Sequence, residues 1–237
     1  MIPKVVHQIW GLKGTNEQIP EDIAGFIARN KVMNPGWDFK MWTPENLPVL
    51  RNQRYYDVAE NCGEKADISR YEIMEQFGGV YMDTDVLLYR SLDDITANRE
   101  VLLYTYRQAE EETDADYFIS TCVQNAFMAS DVHNPFFTNV IDMLPIWILC
   151  NGEGWQEMKA PLKTVYKTGP VFLTRALQRL VPRYDSTSKF FGITTYSGVT
   201  VMPYRSLRSG GMALLNKGIP DYPEHVDAGH FWHGGWQ

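Results

Sequence analysis

The 237-residue chain is long enough to bury a substantial core and is read as one domain spanning residues 1–237. With 44% hydrophobic and 22% charged residues it has the balance of a globular protein. A formal charge of −7 argues against a nucleic-acid binder, whose contact face needs clustered cations, yet leaves a nucleotide open because a metal can neutralise pyrophosphate locally.

Cys62, Cys122 and Cys150 are odd in number and form no CxxC pair, so neither a disulfide scaffold nor a zinc site is expected, and a reducing compartment is. Met1-Ile-Pro-Lys4 leads directly into apolar chain without the ordered regions of a signal peptide, and the longest apolar run, Leu144 to Cys150, is too short to span a bilayer. The expectation is a soluble cytoplasmic protein.

In chain order, Val5 to Trp10 reads as a buried strand, closed by Gly11. A helix opening at Ile19-Pro-Glu-Asp22 carries Ile23, Phe26 and Ile27 on one face, and Trp37 to Trp42 alternates as a strand does. This β-α-β opening predicts an α/β fold with a largely parallel central sheet. Short helices follow between Pro44 and Asn61. Lys65 to Phe77 is predicted as an amphipathic helix packing through Ala66, Ile73, Met74 and Phe77, and Gly78-Gly79 stops it ahead of the strand Val80-Tyr-Met82.

Further strands are expected at Val101 to Tyr104, Cys122 to Ser130, Val199 to Met202 and Gly229 to Trp232. A helix from Asn134 to Cys150 is expected to break near Pro145, and Thr168-Gly-Pro170 introduces another, running to about Leu180.

Two constellations carry chemistry. Asp83 and Asp85 flank Thr84 at the end of a buried strand, where parallel sheets place their ligands, and in extended chain their carboxylates share a face. Two oxygen donors there suit Mg²⁺ or Mn²⁺ completed by water and substrate phosphates; the plainer alternative is a pair of solvated loop carboxylates. Asp67 and Arg70, three apart on the helix, are either an exposed ion pair or a polar fork for sugar hydroxyl and phosphate oxygens. His7, inside the first strand, reads as a satisfied core histidine. The run Glu110 to Asp116 reads as a solvated acidic loop, with an acceptor-facing lid the alternative. Arg175, Arg179 and Arg183 read as solvated charge, with contact to anionic lipid headgroups the alternative.

The segments Ala66-Asp-Ile-Ser-Arg-Tyr-Glu-Ile73 and Gly78-Gly-Val-Tyr-Met-Asp-Thr-Asp85 resemble the signature of glycosyltransferase family 32, whose core is similar to the glucosylating cytotoxins. Ile2 to Trp10, Asn125 to Ser130, Thr168-Gly-Pro170 and His230 to Trp236 also resemble that family, in its order. The resemblance implies a GT-A fold, a Rossmann-like α/β domain with the donor over the strand ends. It implies Mn²⁺ or Mg²⁺ on the diphosphate of a nucleotide sugar, and transfer of a hexose with retention to a glycan or lipid-linked saccharide. UDP-glucose or UDP-galactose is favoured over GDP-mannose.

Carried over, Asp85 is the direct metal ligand and Asp83 serves ribose or metal-bound water. Asp67 and Arg70 hold the hexose, and Asn125 lies beside it. Ile9, Trp10 and Gly11 border the base, and Tyr81 joins the donor contacts. His230 is the candidate third metal ligand, with His233 the fallback, and Trp236 caps the diphosphate through its indole N–H. The family's usual Ser before that Trp is Gly235 here. Two rivals remain at this point: a haloacid-dehalogenase-like phosphatase using Asp83, and a catalytically silent sugar- or nucleotide-binding module.

Overall fold

A computed structural model of the chain describes residues 1–13, 18–105, 122–181, 193–203, 206–211 and 226–232. The expected opening is present: β1 (Val5–Ile9), α1 (Glu21–Met33) and β2 (Asp38–Trp42), with β2 parallel to β1 and Val5 opposite Asp38. Ile23 and Phe26 are buried in α1, as the spacing predicted, whereas Ile27, expected on the same face, is only half-buried. After the short α2 (Gln53–Asp57) comes α3 (Cys62–Phe77), which begins where the Asn61 side chain accepts from the Glu64 N–H.

The α3 helix is not amphipathic in the predicted sense. Every residue from Asp67 to Met74 is buried, polar face included. That face survives burial because its groups are bonded. Glu72 accepts from the backbone N–H groups of Arg51 and Asn52 at 3.1 and 2.8 Å, and the Ser69 hydroxyl donates to the Lys65 carbonyl.

Gly78 (φ +60°) and Gly79 (φ +86°) reverse the chain into β3 (Gly79–Met82), parallel to β1. Their bareness is also a packing requirement: a Cβ on Gly79 would stand 2.5 Å from the Val5 carbonyl oxygen.

Beyond β3 lie β4 (Val86–Leu88), α4 (Leu92–Thr96), β5 (Val101–Thr105), β6 (Val123–Ser130), α5 (Pro135–Asn151) and a 3₁₀ turn at Gly152–Trp155. Then come α6 (Leu162–Lys167), α7 (Pro170–Leu180), β7 (Thr194–Tyr196), β8 (Val199–Met202), β9 (Leu207–Gly211) and β10 (Ala228–Trp232). The main sheet has the order β2-β1-β3-β6-β5-β8-β7, with β6 and β7 antiparallel to their neighbours, so it is mixed but mostly parallel. A smaller sheet runs β4-β10-β9, with β10 antiparallel to β4.

Helices α3, α5 and α7 cover one face of the main sheet around Tyr71, Met74, Phe136, Phe137 and Phe172. On the other face, Val6, Val80, Met82 and Phe127 pack against Val86, Leu92 and Leu207. None of the three cysteines is in a disulfide, and no helix among the described residues is long and apolar enough to cross a membrane.

Pro145 does not break α5, contrary to expectation; the helix continues to Asn151. Proline leaves the carbonyl four residues earlier without its helical donor. That carbonyl belongs to Ile141, and the Asn52 side-chain amide donates to it at 3.0 Å.

His7 is a core histidine, as expected. Its Nδ1 accepts from the Trp42 indole at 3.1 Å while Nε2 donates to the Gly78 carbonyl at 3.0 Å, a pattern that only neutral imidazole can make. Burial above all, with Lys40 adding, lowers its pKa from 6.5 to about 4, against the Gly78 carbonyl. Between those values the unfolded chain binds the extra proton, so stability is lost as pH falls from 6.5 towards 4. Thermal midpoints measured from pH 7.5 to 4.5 are expected to fall less steeply in His7→Gln than in the parent. Gly79→Ala is expected to lower unfolding free energy by roughly 2–4 kcal/mol in urea titration, from backbone strain and the clash with Val5.

Candidate active site

The site forms where β3 ends. Asp83 is fixed by its N–H donating to the Ala126 carbonyl at 2.8 Å, and the chain then turns tightly, the Val86 N–H donating back to Asp83 at 3.1 Å. The two carboxylates therefore meet across a turn and not along extended chain. Asp85 leads into β4, which pairs with β10 so that Val86 faces His230, and the Phe231 N–H donates to the Asp85 carbonyl at 3.0 Å. This pairing sets His230 Nε2 3.2 Å from Asp85 Oδ1 and 3.8 Å from Asp83 Oδ2.

One ligand atom from each of Asp83, Asp85 and His230 lies within 4.8 Å of the others. Two carboxylate oxygens and an imidazole nitrogen are the donor set of an octahedral divalent cation with positions left for water or phosphate, so the residues fit such an ion. Burial opposes a charge on His230, but Asp85 and Asp83 outweigh it and raise its pKa. Burial raises that of Asp83 against the pull of Arg70, with Asp85 raising it further.

Arg70 organises the floor. Its guanidinium lies 3.2 Å from Asp83 Oδ1 and 3.5 Å from Asp67 Oδ1, donates to the Asn125 carbonyl at 2.8 Å, and stacks 4.6 Å from the Tyr81 ring. Tyr81, two residues before Asp83 on the same strand face, donates its hydroxyl to Asp83 Oδ1 at 2.7 Å. Burial disfavours the guanidinium charge, and Asp83, Tyr81 and Asp67 more than offset it, so Arg70 stays charged.

Asp67 is wholly buried, which excludes the exposed ion pair. It accepts from Asn125 Nδ2 on one oxygen and Thr168 Oγ1 on the other, both at 2.8 Å. Burial lifts its pKa to about 6, with Arg70, Thr168 and Asn125 pulling downward.

The structure thus brings together Asp67, Arg70, Tyr81, Asp83, Asp85, Asn125 and His230 from α3, β3, the turn between β3 and β4, β6 and β10. Ile9, Trp10 and Gly11 stand at the end of the adjoining β1, with the Trp10 N–H donating to the Trp42 carbonyl at 2.9 Å. His233, Gly235, Trp236, Arg183 and the run Glu110 to Asp116 lie outside the described residues. Arg175 and Arg179 are exposed on α7.

Sequence reasoning gave Tyr71 and Thr168 no role, although both fell inside the quoted segments. Both touch the Asp67–Asn125 pair, and no spacing rule links positions that far apart. A groove of about 390 Å³ beside His133, Asn139 and Arg179 follows the Ser130 end of β6, the end away from Asp83, and shares none of these residues.

Arg70→Met would leave Asp67 and Asp83 without their buried counter-charge. Urea unfolding at pH 8 is expected to register a loss of about 3–5 kcal/mol. A loss under about 1 kcal/mol would mean that solvent screens the cluster.

A family described as a glycosyltransferase sugar-binding region containing a DXD motif matches residues 31–102. Inositol phosphoceramide mannosyltransferase 3 of Schizosaccharomyces pombe is 30% identical over 180 residues, covering 73% of this chain and 44% of that protein. Mannosyl phosphorylinositol ceramide synthase CSH1 of Saccharomyces cerevisiae is 28% identical over 196 residues, covering 80% of this chain and 46% of that protein. The chain therefore spans less than half the length of these two relatives.

Among solved structures, PaToxG glycosyltransferase is similar at a TM-score of 0.56 and 17% identity, over 78% of this chain and 72% of that one. The catalytic domain of alpha-toxin from Clostridium novyi is similar at 0.53 and 11% identity, over 74% of this chain and 72% of that one.

Proposed function

We propose that this chain, a DXD-containing glycosyltransferase of GT-A fold, moves a hexosyl group from a nucleoside diphosphate sugar to a hydroxyl on a lipid-borne or glycan acceptor. The observation that carries the reading is the convergence of Asp83, Asp85 and His230 beside the Arg70–Asp67–Asn125 cluster at one strand end. A cation site adjoining a buried polar grip matches a ligand that is diphosphate at one end and sugar at the other.

Asp83, Asp85 and His230 would hold a divalent ion, Mn²⁺ better than Mg²⁺ because imidazole contributes. When bound, such an ion supplies Lewis-acid stabilisation to the charge of the departing diphosphate. Arg70 adds a fixed positive charge that needs no reorganisation as the reaction proceeds. Asp67, Arg70 and Asn125 hold the hexose, and Ile9, Trp10 and Gly11 border the base.

The new bond joins the acceptor oxygen to the anomeric carbon as the bond to phosphate oxygen breaks. The acceptor's proton passes to that phosphate oxygen, so retention on one face needs no protein base. A phosphatase reading is disfavoured because Asp83 Oδ1 already accepts from Tyr81 and pairs with Arg70, which blunts it as a nucleophile.

The names of the sequence relatives favour a mannosyl donor such as GDP-mannose over UDP-glucose or UDP-galactose, and an acceptor carried on a lipid headgroup. The reading includes a cytoplasmic chain meeting that acceptor at the inner membrane face, with Arg175 and Arg179 the candidate headgroup contacts.

Thermal shifts with GDP-mannose, UDP-glucose and UDP-galactose, with and without Mn²⁺, test this. At a hundredfold excess over Kd, one donor class is expected to raise the midpoint by about 5–10 °C. The shift should require Mn²⁺ and vanish in Asp85→Ala; no shift with any donor, or one indifferent to metal, would sink the proposal.

A further inference from the structure

A closed ring of hydrogen bonds runs through Asp67 and Asn125, two of the residues proposed to hold the sugar. Thr168 Oγ1 donates to Asp67 Oδ2 at 2.8 Å, and Asn125 Nδ2 donates to Asp67 Oδ1 at 2.8 Å. The Tyr71 hydroxyl donates to the Thr168 carbonyl at 2.8 Å and accepts from Asn125 Nδ2 at 3.1 Å, which closes the circuit. All four side chains are buried. We infer that Thr168 is a positioning residue for the hexose end of the donor, acting through Asp67, with Tyr71 fixing the Thr168 end of the ring; the inference rests on the glycosyltransferase reading.

The chemistry of the four groups supports a directional role. A threonine hydroxyl has one proton to give, and the alternative acceptor, the Thr164 carbonyl, lies farther away at 3.4 Å. Asp67 therefore has one donor on each oxygen, which fixes the plane of its carboxylate and the direction of its remaining lone pairs. Arg70 stands 3.5 Å from Asp67 Oδ1 as an ion pair and donates to the Asn125 carbonyl at 2.8 Å. Losing one donor frees the carboxylate to rotate, while the guanidinium stays held by Asp83, the Asn125 and Ala66 carbonyls and the Tyr81 ring.

The backbone explains how Thr168 arrives there. The N–H groups of Thr168 and Gly169 both donate to the Thr164 carbonyl, at 3.1 and 2.9 Å, ending α6 in a tight joint. A Cβ on Gly169 would sit 3.0 Å from Val165 Cα, so the joint is packed against its own helix. Pro170 then starts α7, which is fastened to β6 where Thr174 Oγ1 accepts from the Val123 N–H at 3.0 Å. Thr168 and Asn125 thus belong to one anchored unit, α7 with β6, whereas Asp67 and Arg70 belong to α3. The ring joins the two units through residues proposed to hold the sugar.

A purely structural ring would affect every ligand alike, and a positioning ring would not. A nucleoside diphosphate with Mn²⁺ engages Asp83, Asp85, His230 and the end of β1, and has no sugar for Asp67 to orient. Calorimetry with Mn²⁺ on the parent, Thr168→Val, Thr168→Ser and Tyr71→Phe would compare GDP-mannose, UDP-glucose and UDP-galactose with GDP and UDP.

Thr168→Val is expected to weaken the donor that the parent binds about tenfold and to leave its nucleoside diphosphate within about twofold. The turnover number should also fall, Thr168→Ser should restore both, and Tyr71→Phe should lie between. Equal weakening of sugar and nucleoside diphosphate, no weakening of either, or failure of Thr168→Ser to restore would overturn the inference alone. A parent that binds no donor would overturn the glycosyltransferase reading and this inference with it.

Discussion

The buried bridge from Asp67 through Arg70 to Asp83 is the constraint on which the rest depends. Arg70 is 2% exposed and Asp67 wholly buried, so both charges depend on their neighbours: Asp83, Tyr81 and Asp67 hold the guanidinium charged, and Arg70, Thr168 and Asn125 pull the Asp67 pKa down against burial. A guanidinium can face two carboxylates, a backbone carbonyl and a tyrosine ring at once because its donors lie in a rigid plane; an ammonium would meet only some of them. The arrangement ties a helix, α3, to the ends of two strands, β3 and β6. It also sets a permanent positive charge beside the carboxylates that would receive a cation.

The scaffold makes that bridge possible by bringing backbones unusually close. The Gly78-Gly79 reversal carries α3 straight into β3, so Arg70 from the middle of the helix lies 3.2 Å from Asp83 just past the end of the strand. On the other side of the turn, antiparallel pairing of β4 with β10 delivers an imidazole from the far end of the chain to within 3.2 Å of Asp85. Helix, strand end and returning ribbon each supply one kind of group: a cation and its partner, two carboxylates, and an imidazole.

Local pattern made much of this legible. The β-α-β start, the helix before the double glycine, and the carboxylate pair after an apolar strand all follow from periodicity and turn chemistry. Where the sequence misled, tertiary partners intervened. Pro145 should have ended α5, but Asn52, remote in sequence, offers the missing donor to Ile141. The helix from Cys62 should have shown water a polar face, but Arg51 and Asn52 cover Glu72 and let that face be buried. Tyr71 and Thr168 were out of reach for the same reason: a hydrogen bond between residues far apart in the chain leaves no period or spacing to read. The reversed direction of β6 follows a long connection from β5 that carries no local signal, whereas β7 turns straight into β8 through Ser197-Gly198, both at positive φ, a hairpin turn that the sequence reading passed over.

The β4–β10 pairing has one consequence for folding as well as chemistry. Two prospective ligands sit on the turn between β3 and β4, but the third is borne by a ribbon whose partners are β4 and β9. An ion captured there would cross-link the principal sheet to its smaller companion, and its binding energy would count towards docking the two. Chelation would then do more than silence chemistry: it would loosen the seam by which the chain's last described strand is fastened to the rest.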